Sequence, residues 1–223
     1  MRRYGGPACG IWRSYNGGKN WTALKSGLPL SNNGRIGIAL SEKDPSVLYA
    51  IYADQTGYFK GVFKTTNLGN SWSAISDGDL DYSSFGWWFG QIYVSPHKSE
   101  EVYTMGVDWM KTIDGGLNWT GASEYLHADY HALYIHPRNS SLHVVGNDGG
   151  IFISKSGGAR GSWRHRPIPV TQLYTSEIDF QQPHVYAGGA QDNGTWIKNG
   201  SSNNNWLKIY GGDGFTVLID PKN

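Results

Sequence analysis

The stretch GVFKTTNLGNSW, Gly61 to Trp72, decides how this chain is read. A short apolar strand runs into a polar residue, a glycine-containing turn and then a tryptophan. The same order returns in GIWRSYNGGKNW (Gly10–Trp21), DWMKTIDGGLNW (Asp108–Trp119) and GIFISKSGGARGSW (Gly150–Trp163). The four tryptophans stand 51, 47 and 44 residues apart, and 43 more residues reach Trp206 in NNNWLKIYGG. That fifth copy is degraded: its strand is GTWIK (Gly194–Lys198), followed by an Asn/Ser-rich turn. Self-similarity at a fixed period of this length is the mark of stacked repeats.

Working outward, the other strands repeat as well. A β-like run precedes a polar-proline turn in RIGIALSEKDP (Arg35–Pro45), GQIYVSP (Gly90–Pro96), HALYIHP (His131–Pro137) and FTVLIDP (Phe215–Pro221), with LYTSEIDFQQP (Leu173–Pro183) a looser copy. A further strand follows each turn but the last, starting at Val47, Glu101, Leu142 and His184. Alternation, β-branched and aromatic content and turn residues agree on strands throughout, and almost nothing reads as helix. Four short strands per unit of about 40 to 50 residues is the arithmetic of a propeller blade. A lone blade has two apolar faces and two open edges, so blades must stack. The expected fold is all-β, a β-propeller of four-stranded antiparallel blades. A parallel β-helix is the rival, with shorter and less hairpin-like repeats. The expected parts are a partial blade at 10–25, blades at about 34–76, 89–122, 131–166 and 172–210, and a closing or cut strand at 215–221. Two arrangements fit. Five blades could be closed by shared ends, with Arg2 to Gly5 as a stunted second strand, or the chain could be a segment of a larger propeller.

Composition narrows the function classes. Glycine supplies 31 of 223 residues, aromatics 14%, charged residues 17%, and the formal net charge is +1. Near-neutral charge gives no support for nucleic-acid binding. No apolar run is long enough to span a bilayer as a helix, so a transmembrane protein is not expected. The opening MRRYGGPACG lacks the apolar core of a signal peptide. Cys9 is alone, which excludes an internal disulfide and a thiolate-rich zinc site. No cofactor and no metal ion is expected.

The turns follow the spacing S-x-N-x-G-x-x-W at Ser14, Asn16, Gly18 and Trp21. Thr65, Asn67, Gly69, Trp72 and Thr112, Asp114, Gly116, Trp119 repeat it, and Ser154 with Trp163 marks a looser fourth copy. The short Asx side chain accepts hydrogen bonds from the turn's own N–H groups, and the indole anchors the hairpin. This pattern resembles the Asp-box (BNR) repeat of sialidases, sortilin-like receptors and xyloglucanase-type hydrolases. The resemblance implies that these residues are structural and lie away from the active face. HADYHALYIHPRNSSLHVVGNDGGIFIS (His127–Ser154), VYAGGAQDNGTW (Val185–Trp196) and GGDGF (Gly211–Phe215) extend the likeness to the sortilin-like, BNR-repeat glycosyl hydrolases over nearly the whole chain. It implies an extracellular or periplasmic protein and a neutral polysaccharide or a protein as ligand. The xyloglucanase-type enzymes use paired aspartates in a cleft; their local sequences are not found here, so no catalytic residue is carried over.

Blade topology sorts the loops without the family. The turns after strands 1 and 3 share one end, and the loops after strands 2 and 4 share the other. That second end collects Asp54, Gln55, Tyr58, Asp108, Trp109, Asn147, Asp148, Gln191, Asp192 and Asn193. From the inter-blade loops it gathers Asp79, Asp81, Tyr82, Trp87, Trp88, Tyr125, His127, Asp129, Tyr130, His131 and Asp213. Acids, amides and aromatic faces together are the composition of a sugar site. The expected carboxylates for glycoside hydrolysis are Asp129, Asp148, Asp192 and Asp213, with Asp129 and Asp192 first. Trp87, Trp88, Trp109, His127, Tyr130, His131, Asn147, Gln191 and Asn193 are the expected substrate contacts. Each has a plainer reading. Gly-flanked Asp148 and Asp213 suit turn capping. The His127, Asp129, His131 spacing could present metal ligands on one face, but more often ties a loop down. Adjacent Trp87 and Trp88 can point differently, one inward and one to solvent. The alternative function is a non-catalytic scaffold of sortilin-like type, self-associating if the propeller is open.

Overall fold

The computed structural model describes residues 3–75, 80, 86–122, 126–200 and 206–220. The chain is all-β, as the repeat predicts. The described residues form five antiparallel sheets, one two-stranded and four four-stranded, consistent with a partial β-propeller. No helix among the described residues is long and apolar enough to cross a membrane. Two compact units form, residues 1–147 with 151–166 and residues 148–150 with 167–223.

The first unit opens with a hairpin of β1 (Ile11–Arg13) and β2 (Thr22–Leu24). The next sheet holds β3 (Asn33–Leu40), β4 (Leu48–Asp54), β5 (Phe59–Thr65) and β6 (Ser73–Ala74) in sequence order. A third holds β7 (Gln91–Val94), β8 (Val102–Met105), β9 (Met110–Thr112) and β10 (Thr120–Gly121). A fourth holds β11 (Tyr130–Ile135), β12 (His143–Asn147), β13 (Gly150–Ser154) and β14 (Arg164–Arg166).

Period-2 alternation places the cores. On β4, Tyr49 and Ile51 face one way and join Val62, Ile92, Val102 and Trp119. Ala50 and Tyr52 face the other way and join Ile11, Leu28, Phe63 and Trp72. Both faces of β4 are therefore covered, which is why its inner residues are buried without a break. A third cluster gathers Tyr103, Met105, Leu133, Ile135, Val145 and Trp163. Each such side chain contributes on the order of 1.5–3 kcal/mol by leaving water.

The second unit is built on β15 (Thr175–Ile178), β16 (Val185–Ala190), β17 (Gly194–Asn199) and β18 (Leu207–Tyr210), again in sequence order. Its inner strand β16 is mostly buried and its outer strand β18 is exposed throughout. Residues 215–220, read from sequence as a lone strand, join no sheet among the described residues. At the other end of the chain, the proposed stunted strand near Tyr4 is not a strand. Tyr4 instead donates its N–H to the Gln55 carbonyl at 2.9 Å, and Arg2 lies outside the described residues.

Candidate functional site

The turn motif is realised as the spacing predicts. In the first copy the Ser14 hydroxyl accepts the Gly18 N–H at 2.8 Å, Asn16 Oδ1 accepts the Asn20 N–H at 2.9 Å, and Trp21 Nε1 donates to the Gly18 carbonyl at 3.0 Å. The second copy repeats all three contacts through Thr65, Asn67 and Trp72, at 3.1, 3.0 and 3.2 Å. The third keeps Gly116 N–H to Thr112 at 3.0 Å and Asn118 N–H to Asp114 at 3.0 Å. Hydrogen bonds from the Asn118 side chain, then its N–H and the Thr112 hydroxyl, hold the Asp114 carboxyl well below the usual range. In the fourth, Ser154 accepts the Gly158 N–H at 3.0 Å. The hydroxyl and Asx side chains of the first three turns thus serve as caps for the turns' own N–H groups.

The loops after strands 2 and 4 divide into aromatics that turn inward and groups left at the surface. Trp109, expected at the rim, is 2% exposed and stacks between Tyr103 and Tyr130, with ring centroids 5.6 Å away on each side. Tyr130 is 1% exposed. Both expectations of substrate contact are corrected: these rings fill the first unit's core. Trp87 lies flat on Tyr4, 4.6 Å between centroids, so one of its faces is covered. Trp88, its neighbour, is 56% exposed, with its carbonyl held by Arg35 at 2.6 Å. His131 stacks on buried Phe89 at 5.2 Å. Asn147 Nδ2 donates to the His127 carbonyl at 2.6 Å and ties the inter-blade loop to the end of β12. Asp129, also in the first unit, has φ +63° and donates its N–H to the Val107 carbonyl at 2.9 Å. Short polar side chains are the non-glycine residues that best tolerate this left-handed backbone. Asp79, Asp81, Tyr82 and Tyr125 lie outside the described residues.

The second unit concentrates the remaining candidates. The β16–β17 turn carries Gln191, Asp192 and Asn193, and Asp192 takes φ +60°. The Asp192 N–H donates to Asp213 Oδ1 at 3.0 Å, and the Gly214 N–H donates to the Ala190 carbonyl at 2.9 Å. Asn193 Nδ2 donates to the Asp148 carbonyl at 3.0 Å, and its own carbonyl accepts Trp196 Nε1 at 2.8 Å. Carboxylate oxygens of Asp148 and Asp192 lie within 4.8 Å of each other. Two glycines bring the Asp213 segment close. A Cβ on Gly189 would stand 2.4 Å from the Phe215 carbonyl oxygen, and one on Gly214 would stand 2.2 Å from the Gly194 oxygen. The Asp213 segment can therefore lie directly on the β16–β17 hairpin.

Two aromatics with no motif to mark them lie beside this group. Tyr174 and Phe215 meet at 5.2 Å, both exposed, and the Tyr174 hydroxyl donates to Gln191 Oε1. Tyr174 stands near the start of the Leu173–Pro183 run and Phe215 opens the Phe215–Pro221 run. The signal that could have found them is the glycine pair, since backbone lying on backbone brings the flanking rings together. The arrangement offers an apolar ring surface beside amides and carboxylates. Chemically it can stack on a pyranose face, accept hydroxyl hydrogen bonds, and set two carboxyl groups about one bond.

No family model matches this chain, and no curated protein sequence matches it. Solved structures share its fold. A GH74 enzyme from Niastella koreensis matches over 84% of this chain and 32% of its own, at 16% identity and TM-score 0.51. The GH74 xyloglucanase from Xanthomonas campestris matches over 90% and 42%, at 14% identity and 0.51. An ancestral GH74 enzyme matches over 96% and 30%, at 14% identity and 0.53. At these identities the likeness is one of fold, a β-propeller-like arrangement. The chain spans less than half the length of each.

Proposed function

We propose that this chain is an Asp-box repeat propeller segment that binds a neutral polysaccharide through the loops of its second unit. The carrying observation is the exposed Tyr174–Phe215 pair beside Gln191, with Asn193, Asp148 and Asp192 on the same loops. Sugar rings offer C–H faces to aromatic rings and hydroxyls to amides and carboxylates, so this combination suits a glycan. An extracellular or periplasmic location goes with that substrate class. Trp88 is a candidate for a second contact, on the first unit. The test is calorimetric titration with xyloglucan and β-glucan oligosaccharides. Binding is expected, weakened about tenfold or more by Tyr174→Ala or Phe215→Ala, the scale of losing one aromatic anchor. Absence of binding across the panel, or binding indifferent to both substitutions, refutes the reading.

The close approach of Asp148 and Asp192 favours a second reading, hydrolysis of the bound glycan. Retaining glycosidases hold their two carboxyl groups about 5–5.5 Å apart. One carboxyl protonates the leaving oxygen as the other attacks the anomeric carbon and the glycosidic bond breaks; water, deprotonated by the first, then hydrolyses the glycosyl ester and frees the carboxylate. Asp213 then acts as a positioning residue, through the Asp192 backbone. Asp129 of the first unit stays in the candidate pool. Release of reducing ends should vanish in Asp148→Asn and Asp192→Asn while binding persists. Binding without turnover in the unsubstituted chain points to the non-catalytic scaffold of sortilin-like type.

A further inference from the structure

One position in the repeat changes character. In the three four-stranded sheets of the first unit, the last residue of the first strand pairs with the first residue of the second. The pairs are Leu40 with Leu48, Val94 with Val102 and Ile135 with His143. Leu48 and Val102 pack among apolar side chains. His143 is 3% exposed at the same place. A titratable ring thus stands where the other two sheets carry an aliphatic side chain.

The ring is held in one tautomer. Nε2 lies 3.1 Å from the Ser140 carbonyl, which can only accept, so Nε2 carries the hydrogen and Nδ1 the lone pair. Nδ1 is buried and meets no hydrogen-bond partner among the described residues. A Cβ on Gly158 would stand 3.1 Å from Nδ1 and 3.4 Å from Cζ2 of Trp163, so imidazole and indole share the space under the fourth turn. From the third sheet, the Tyr103 ring meets the imidazole edge-on, 6.4 Å between centroids. The charged and titratable neighbours are Glu101, Lys111 and His97. Glu101 is engaged elsewhere: Lys111 Nζ lies 2.7 Å from it, and the Tyr103 hydroxyl donates to it at 2.8 Å. His97 donates Nε2 to the His136 carbonyl at 2.9 Å. A proton added at Nδ1 would put an unpaired N–H and a charge into the packed joint of the third and fourth sheets, which is costly.

We propose that His143 is an acid-sensitive latch of this joint: neutral, it closes the fourth turn onto β12 and the third sheet; protonated at Nδ1, it releases that turn. The step takes one proton from solvent and breaks no covalent bond. Burial, against the pull of the Glu101 charge, holds the His143 pKa below the ordinary histidine value. The opened chain therefore binds the proton better than the closed one. The latch is fully closed above the ordinary value and is lost as pH falls through the lower folded one.

Hydrogen exchange of the full chain, corrected for the intrinsic pH dependence of each amide, tests the latch. The Gly157 N–H donates to the Ser141 carbonyl at 2.8 Å, and the Gly158 N–H to Ser154 at 3.0 Å. Both should lose about tenfold in protection for each pH unit between the two values. Gly69 of the second turn, bonded to Thr65 at 3.1 Å and set against Leu24 and Trp72, should keep its protection. His143→Val restores the aliphatic side chain of the other sheets and should hold the fourth turn's protection constant over this range; circular dichroism checks that it folds. In the wild-type chain, imidazole nitrogen resonances should show the Nε2–H tautomer and a titration midpoint below the ordinary histidine value. A midpoint at or above that value overturns the proposal, whether or not the variant folds. Protection lost equally at Gly69 and Gly157, protection indifferent to pH, or a pH dependence that survives in His143→Val overturns it too.

Discussion

Trp21 and Trp72 close turns of one design. Each donates its indole N–H to the glycine carbonyl of its own turn, and each turn caps itself with a hydroxyl and an Asx side chain. The first indole is 59% exposed and the second 5%. The internal hydrogen bonds are thus a property of the twelve-residue motif, while burial is a property of what stands next to it. The motif makes a hairpin end; only a neighbouring unit turns that hairpin end into core.

The contrast is broken most directly by removing the two indoles in turn. Trp72→Ala should cost about 3–5 kcal/mol in urea unfolding, the range for deleting a buried ring. Trp21→Ala should cost within about 0.5 kcal/mol, as for an ordinary surface change. Equal costs would show that the anchor works within its own turn. The hydroxyls give a smaller version. Thr65 is buried and Ser14 is exposed, so Thr65→Ala should lose about 1–2 kcal/mol by stranding the Gly69 N–H. Ser14→Ala should lose a few tenths, because water replaces it.

The smallest effect is a pH dependence in the third turn, where an aspartate stands in place of asparagine. The folded state holds the Asp114 carboxyl below its usual range, chiefly through Asn118. Its contribution is therefore present above the unfolded pKa and is lost as pH falls through the folded one. Asp114→Asn makes the turn like its two predecessors and should flatten the acid limb of the stability curve. A curve unchanged by the substitution would sink this account.

The sheets were legible because period-2 runs, proline turns and Trp-marked hairpins all agree. The site was legible only as a neighbourhood. Sorting loops by end groups Asp148, Asp192, Asp213, Gln191 and Asn193, and the structure places them on neighbouring loops. Trp109 and Tyr130 were misplaced for the same reason. A loop address does not say whether a ring turns in or out, and Trp109 turns in because Tyr103 and Tyr130 flank it. Trp87 is covered by Tyr4, more than eighty positions earlier in the chain. No local pattern carries that pairing. The contact of Tyr174 with Phe215 is not legible at all, because each ring sits at the end of a strand-like run and the two rings are 41 residues apart.

Packing between neighbouring sheets of the first unit falls on a fixed offset from the indole: Leu24, Ile75 and Ala122 stand three residues after Trp21, Trp72 and Trp119 and pack in the clusters of Trp72, Trp119 and Trp163. The tryptophans are 51, 47 and 44 residues apart, yet this offset does not change. Loops can therefore lengthen or shorten without disturbing the contact, because the position that makes it is tied to the turn and not to the length of chain between turns.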